Sequence, residues 1–258
     1  YSRADSKGRV NMALKQDGRL LKMKVPGTLG DDPDVLLTRF SGHEAMSRLF
    51  QYHLEFVSSK LNLKASDLVG KEVSVELERR DKDGNQLSPR YFHGYISRFS
   101  AGDVAQHRTE NFKYRGYRVE MVPWLWFLTQ TARSFIFFPE KEDKTIYEIV
   151  NEIFRRTKND YHVDPKYDTS RINALKQRKV KHCVQYRETD FNFVSRPMEQ
   201  EGIYYFFEHE DGKHDLVLAD SASAHKPYPE YEQIMYHAPS SGTTDKEHIT
   251  DCSIQTLL

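Results

Sequence analysis

The stretch QYRETDFNFVSRPMEQEGIYYFF, residues 185–207, decides how the chain is read. It opens polar, passes through an amphipathic run and ends in aromatics behind a glycine. Thr189 is placed to cap a helix running to about Glu201, and Gly202 supplies the left-handed residue that ends it. Phe191, Val194 and Met198 would face the core, while Pro197 removes a hydrogen bond to Phe193 and should kink the helix. GIYYFFEH and KHDLVLAD, joined around Asp211 and Gly212, then read as a hairpin. Its alternation puts Tyr204 and Phe206 on one face and Tyr205 and Phe207 on the other.

Upstream of this stretch, KHCVQY (181–186) reads as a strand, and KTIYEIVNEIFRRTK (144–158) as an amphipathic helix. Ile146, Ile149, Val150, Ile153 and Phe154 recur at helical spacing, and Thr145 with Glu148 forms a capping box. PWLWFLTQ (123–130) suits a short helix with Pro123 in its first turn. The texture before Pro123 is different. LLKMKV (20–25), VLLTRF (35–40), FQYHLEFVSS (50–59), KEVSVELERR (71–80), RYFHGYISRF (90–99) and NFKYRGYRVEMV (111–122) alternate with period two and are separated by turn residues such as DKDGNQ (81–86). Phe50, Tyr52, Leu54 and Phe56 share one face, and the phase slip at Gly116 predicts a β-bulge there. This half reads as an antiparallel meander of barrel or sandwich type. Residues 1–18 read as a disordered leader or appended residues, and Gln233–Tyr236 as a short strand in a polar tail.

Bulk properties exclude several classes. The chain has 258 residues, with 38 Lys+Arg against 38 Asp+Glu, so no charge excess points to nucleic acid or an anionic membrane. Hydrophobic residues are lean at 38% while aromatics reach 12%, a mix that suits β-rich structure with large rings completing small cores. Cys183 and Cys252 make neither a disulfide framework nor a metal site. No apolar run is long enough to span a bilayer, and the N-terminus lacks a hydrophobic signal core.

The residue patterns do not force catalysis. Phosphate loops, nucleophile elbows and the zinc-protease helix motif are missing from the sequence. His209, Glu210 and His214 flank one turn and could hold a metal, but turn histidines read more simply as solvated. Cys183 and His182 are adjacent on a strand and so point to opposite faces. Glu199 is spaced to meet Arg196, and Arg196 with Glu201 reads as a buried pair fixing the helix against the next strand. The basic cluster KQRKVKH (176–182) has no interleaved aromatics and reads as a solvated face or a protein contact. An enzymatic alternative, a hydrolase or metal-dependent head, would use Glu188, Asp190 and His209.

The order of FSGHEAMSRLFQYHLEF (40–56), LVGKEVSVEL (68–77), FHGYISRF (92–99), YRVEMVPWLWFLTQT (117–131), TIYEIVNEIF (145–154), residues 185–209 and LVLAD (216–220) resembles the N-terminal head of VgrG, the spike of bacterial type VI secretion. That head is similar in turn to the baseplate hub of contractile phages. RSFIFFPEKEDKTI is a few residues longer than the family pattern, and Pro197 stands where the family usually has leucine. The resemblance implies a mainly β, α+β fold: two related β-barrel-like domains with a few short helices. The first would span 19–118 and the second 119–258, ending before an oligonucleotide-binding-like stalk domain. It implies a homotrimer capping a hexameric ring of the tube protein Hcp, with baseplate proteins, a C-terminal spike and effectors or adaptors as further partners. Such a head starts in the bacterial cytoplasm and is secreted or injected without a classical signal peptide; a contractile-phage tail hub is the near alternative. It implies neither catalysis nor a cofactor or metal. Structural and interaction roles then fall to Phe40, Gly42, Glu44, Phe50, Gly94, Pro123, Trp124, Trp126, Tyr186, Glu188, Asp190, Phe193, Arg196, Glu201, Gly202 and Tyr204. Contact roles fall to Lys176, Arg178, Lys179 and exposed edge strands.

Overall fold

The computed structural model describes residues 16, 18–27, 29, 35–80, 85–106, 113–137, 143–172, 179–225, 234–237 and 248–251. The first half is one antiparallel sheet built from β1 (Leu21–Lys24), β2 (Val35–His43), β3 (Gln51–Ser58), β4 (Glu72–Arg80), β5 (Gln86–Gln106) and β6 (Lys113–Val122), with a short helix α1 (Ala65–Leu68) before β4. Its strand order is β1-β4-β5-β6-β3-β2, curled into a half barrel. The inner face follows the alternation in the sequence: Phe50, Tyr52, Leu54 and Phe56 are buried with Val73, Val75, Tyr117 and Val119. At the outer edge of β1, the Gln16 side chain takes both backbone groups of Met23, donating at 2.9 Å and accepting at 2.7 Å. The other residues of the expected 1–18 leader, except Gly18, lie outside the described residues, as do Asp81–Gly84 of the expected turn.

The expected bulge is displaced. β6 runs unbroken against β3, with Val57 opposite Gly116. The register shift falls in β5, where Ala101 faces Tyr117 and Val104 faces Arg115. The extra residue therefore belongs to β5, and Gly116 is the single residue opposite Gly102 and Asp103. A Cβ on Gly102 would meet the Gly116 carbonyl oxygen at an ordinary contact distance of 3.4 Å, so the phase slip marks the bulge and no steric need for glycine. Pairing resumes beyond it, which makes β5 longer than the 90–99 expected.

After β6 the chain enters a 3₁₀ turn, Trp124–Thr129. Pro123 caps this turn from outside, its carbonyl accepting from the Trp126 amide at 3.0 Å, instead of standing in the first turn as expected. Then follow β7 (Ala132–Phe137), β8 (Lys144–Thr145), α2 (Ile146–Tyr161), β9 (Tyr167–Arg171), β10 (Lys179–Val180), β11 (Cys183–Thr189), α3 (Asp190–Gln200), β12 (Tyr204–Glu210), β13 (Lys213–Ala219), β14 (Met235–Tyr236) and β15 (His248–Ile249). β12 and β13 form the expected hairpin, and β9 adds in parallel to β13. β11 pairs with β7, and β10 with β8. The capping box of α2 is complete: Thr145 Oγ1 accepts from the Glu148 amide at 3.2 Å and the Glu148 carboxylate accepts from the Thr145 amide at 2.7 Å.

A second core forms here from Trp124, Leu125, Ile153, Phe154, Phe193 and Leu216, among others. β5 lies between the two cores. Phe92 and Ile96 face the first and Tyr95 faces the second, so the strand is buried on both sides from Phe92 to Ile96. Contacts from β5 to β12 and β13 join the halves.

Candidate functional site

The signature stretch folds into a polar knot between β7, β11 and α3. Thr189 Oγ1 accepts from the Asn192 amide at 3.1 Å, starting α3 where expected. Asp190 turns inward: Oδ1 accepts from Gln185 Nε2 at 2.7 Å and Oδ2 lies 3.2 Å from Arg133 Nε. A carboxylate in the first turn also suits the positive end of the helix. Arg133 in turn donates to Asp160 at 2.6 Å, and Gln185 to the Glu188 carbonyl at 3.1 Å. Arg196 is half exposed and donates to Glu188 at 2.9 Å and to the Val184 carbonyl at 3.1 Å, with its guanidinium 5.5 Å from the Phe193 ring centre. This corrects the expected pairings with Glu199 and Glu201: the partner is brought by the strand before the helix, not by the next helical turn. Phe193 is fully buried and stacks on Phe137 at 5.3 Å and 6°. Phe193 fills the core beside Val194 and Met198, the half-buried Phe191 packs against that core as expected, and Pro197 is buried within the helix. Glu201 is the C-cap and Gly202 follows at φ +70°, as the sequence requires. Tyr204 donates to the Ser221 carbonyl at 2.7 Å and stacks on His225. Tyr186 points outward, with Arg187 5.4 Å from its ring.

The other expected residues serve packing. Phe40 stacks on Tyr52 at 5.2 Å and meets Phe92 at 4.9 Å. Gly42 lies against Tyr52, leaving no room for a Cβ. Glu44 accepts from the Tyr52 hydroxyl, and burial together with that carboxylate pushes the Tyr52 phenol far up. At Gly94 a Cβ would sit 2.6 Å from both Met121 Cγ and the Val122 carbonyl oxygen. Trp124 is fully buried, donating from Nε1 to the Lys166 carbonyl at 3.0 Å, whereas Trp126 is half-buried against Phe127. Lys179 is exposed in β10 opposite Thr145; Lys176 and Arg178 lie outside the described residues.

The histidines at the hairpin turn are not solvated. His209 and His214 face each other in the β12–β13 register, and with His93 of β5 they form a clasp between the halves. His209 Nδ1 accepts from the His93 amide at 3.1 Å, His214 Nε2 accepts from the Trp124 amide at 2.9 Å, and the Nδ1 atoms of His93 and His214 are 2.9 Å apart. Phe50 packs against the rings of Phe207, His209 and His214 at 5.0, 5.0 and 5.5 Å. Burial lowers the pKa of all three histidines: His214 well below its ordinary value, and His209 to about 3, with His93 and Arg90 adding to the effect. Strand parity was the overlooked signal. His209 continues the inward row of Tyr205 and Phe207, and His214 the row of Leu216 and Leu218.

None of this geometry brings a nucleophile to a base. Glu188 and Asp190 are committed to Arg196 and Arg133, and His209 to a backbone amide. Burial raises the Cys183 thiol, and His182 beside it is exposed. Among the described residues no group of three or more His, Cys, Asp or Glu is arranged to hold a metal ion. An open depression of about 440 Å³ on the outer face of the β2-β3-β6-β5 sheet is lined by charge pairs, Arg98–Glu120 and Arg118–Glu55, each at 3.3 Å. Their arginines are largely exposed, as in ordinary solvated ion pairs. Among the described residues no helix is long and apolar enough to cross a membrane.

Comparison with known proteins gives one consistent family. The profile of the phage tail baseplate hub (GPD) family matches residues 43–257. The type VI secretion system spike protein VgrG1c of Pseudomonas aeruginosa is 39% identical over 249 residues, covering 96% of this chain and 31% of that protein. The actin cross-linking toxin VgrG1 of Vibrio cholerae is 31% identical over 238 residues, covering 88% of this chain and 19% of the toxin. The chain thus spans about a third or less of the length of these relatives. In structure it is similar to the E. coli c3393 protein, described as a type VI secretion component resembling the T4 bacteriophage tail proteins gp27 and gp5. That match has a TM-score of 0.59 at 20% identity and covers 84% of this chain and 52% of the other.

Proposed function

The chain belongs to the phage tail baseplate hub (GPD) family, and on that premise we propose that it is the structural, non-catalytic head of a trimeric type VI secretion spike. The observation that carries this reading is internal: the polar groups of the signature stretch are spent on linking β7, β11 and α3, not on lining a cleft. Three such heads around an axis, each with two cores, would present a pseudo-sixfold face to a hexameric ring of the tube protein Hcp. Rigidity and repeated interfaces are what such a part needs. Baseplate proteins would hold the head before firing, and a C-terminal spike would carry effectors or adaptors. The head would then leave the cytoplasm with the tube, with no need of a signal peptide. Catalysis in a relative such as the actin cross-linking toxin would reside outside the 19% of its length matched here.

Light scattering across a concentration series, with and without purified ring protein, tests the proposal. A trimer, or three heads on one six-membered ring, is expected. A chain that stays monomeric and ignores the ring, also when extended by the stalk, would overturn it. Charge reversal at Lys176, Arg178 and Lys179 is expected to weaken assembly; unchanged assembly removes that segment as a contact. The family profile equally describes a contractile-phage tail hub, and binding to a phage tube protein in preference to Hcp would favour that reading.

A further inference from the structure

The clasp fixes where each imidazole proton sits. His214 Nε2 accepts from the Trp124 amide, so its proton is on Nδ1, which faces His93 Nδ1. His93 Nδ1 must then accept, and its own proton is on Nε2. His209 Nδ1 accepts from the His93 amide, which again leaves the proton on Nε2. Each ring has one acceptor nitrogen, and each acceptor is already in use. The Nε2 atoms of His93 and His209 are closed off from solvent with no hydrogen-bond partner. A further proton can be added only by breaking a link between β5, the hairpin and Trp124.

We propose that the clasp is an acid-sensitive coupling, in which neutral imidazoles hold the turn end of the β12–β13 hairpin and the Trp124 amide against β5 and protonation frees that turn end, while Leu216, Leu218 and the Trp124 ring stay packed in the second core. The charges around it are few. Glu72 of β4 and Asp211 of the turn favour a protonated His93, but Glu72 already accepts from the Tyr95 hydroxyl at 3.0 Å. Arg90 of β5 opposes protonation of His209. Phe50 just before β3 and Tyr52 within it face the clasp, the latter bonded to Glu44; β12 presents Phe207; the 3₁₀ turn presents the Trp124 amide.

The direction follows from linkage. A released histidine titrates near its ordinary value of about 6.5. The closed clasp is therefore fully favoured above pH 6.5, is weakened as pH falls below it, and reaches its full penalty once His209 titrates in place at about 3. For His209 alone, opening at pH 4.5 is favoured on the order of 100-fold over neutral pH, and His93 and His214 add in the same sense.

Amide exchange from pH 7.5 to 4.5, corrected for the intrinsic rate, reads this directly at the His93 and Trp124 amides. Exchange there is expected to rise by at least about 100-fold while Ile153 in α2 and Leu54 in β3 stay protected. The double variant His209→Gln, His214→Gln keeps acceptors without the titration and is expected to be flat. Nitrogen NMR of the wild-type histidines, which does not depend on any variant folding, is expected to show neutral rings at pH 6, protonated on Nδ1 at His214 and on Nε2 at His93 and His209. Charged clasp histidines at pH 6, other tautomers, a flat wild-type profile, or loss of Ile153 and Leu54 protection at the same pH as Trp124 would each overturn the proposal.

Discussion

Arg133 Nε stands 3.2 Å from Asp190 Oδ2, with the Asp190 side chain 3% exposed and the Arg133 side chain 32%. Gln185 donates to the same carboxylate, so removing it takes one hydrogen bond from Gln185 and one ion-pair partner from Arg133, each of which keeps another partner. Asp190→Ala is expected to cost about 3 kcal/mol in urea unfolding. Glu188→Ala breaks only the half-exposed Arg196 link and is expected to cost less than about 1 kcal/mol. Equal losses from the two variants would refute the knot as a stabilising unit.

Gly94 and Gly116 make a matched pair of strand glycines. A Cβ at Gly94 meets the Val122 carbonyl at 2.6 Å, which cannot yield without breaking the β5–β6 ladder, while Gly116 has nothing within 4 Å. Gly94→Ala is expected to lose about 3 kcal/mol or more. Gly116→Ala is expected to be neutral, or stabilising by up to about 1 kcal/mol through the unfolded chain. Thermal midpoints moving in the same direction would contradict the packing described.

The two tryptophans of PWLW differ in the same way. Trp124 is fully buried, meets Phe154 edge-on at 5.1 Å and holds the Lys166 carbonyl; Trp126 is half-buried. Trp124→Ala is expected to cost about 3–5 kcal/mol and Trp126→Ala about 1 kcal/mol. Denaturant midpoints rank them, and a reversed order would misplace the second core.

Thr145→Ala removes the acceptor at the start of α2 while leaving its buried face intact. A loss of about 1 kcal/mol is expected. Glu148→Gln, which can still reach the Thr145 amide, should lose less. If both variants unfold at the wild-type midpoint, the capping box contributes nothing.

Much of this was legible because local patterns and tertiary packing agree. The ends of α3 at Thr189 and Gly202, the capping box of α2 and the inward row from Phe50 to Phe56 follow from sequence alone. The hairpin at Asp211–Gly212 is equally local. The clasp was hidden because EHEDGKH looks like solvated turn composition; only long-range packing under β5 makes its histidines internal. The displaced bulge was ambiguous for a related reason: a phase slip in one strand does not say which partner carries the extra residue. Arg196 found Glu188 because β11 returns alongside α3, a proximity that helical spacing cannot report.

The clasp also sets an order of events on the ribosome. His93 and His214 are 121 positions apart. At roughly 5–20 residues per second, the outward side of β5 waits on the order of 10 s after synthesis before its hairpin exists. During that interval His93 lacks both of its imidazole partners, whereas Tyr95 can already meet Glu72 and Phe127. The nascent first half therefore passes through a sticky stage that the finished protein never shows, and a chaperone would find its clearest target there.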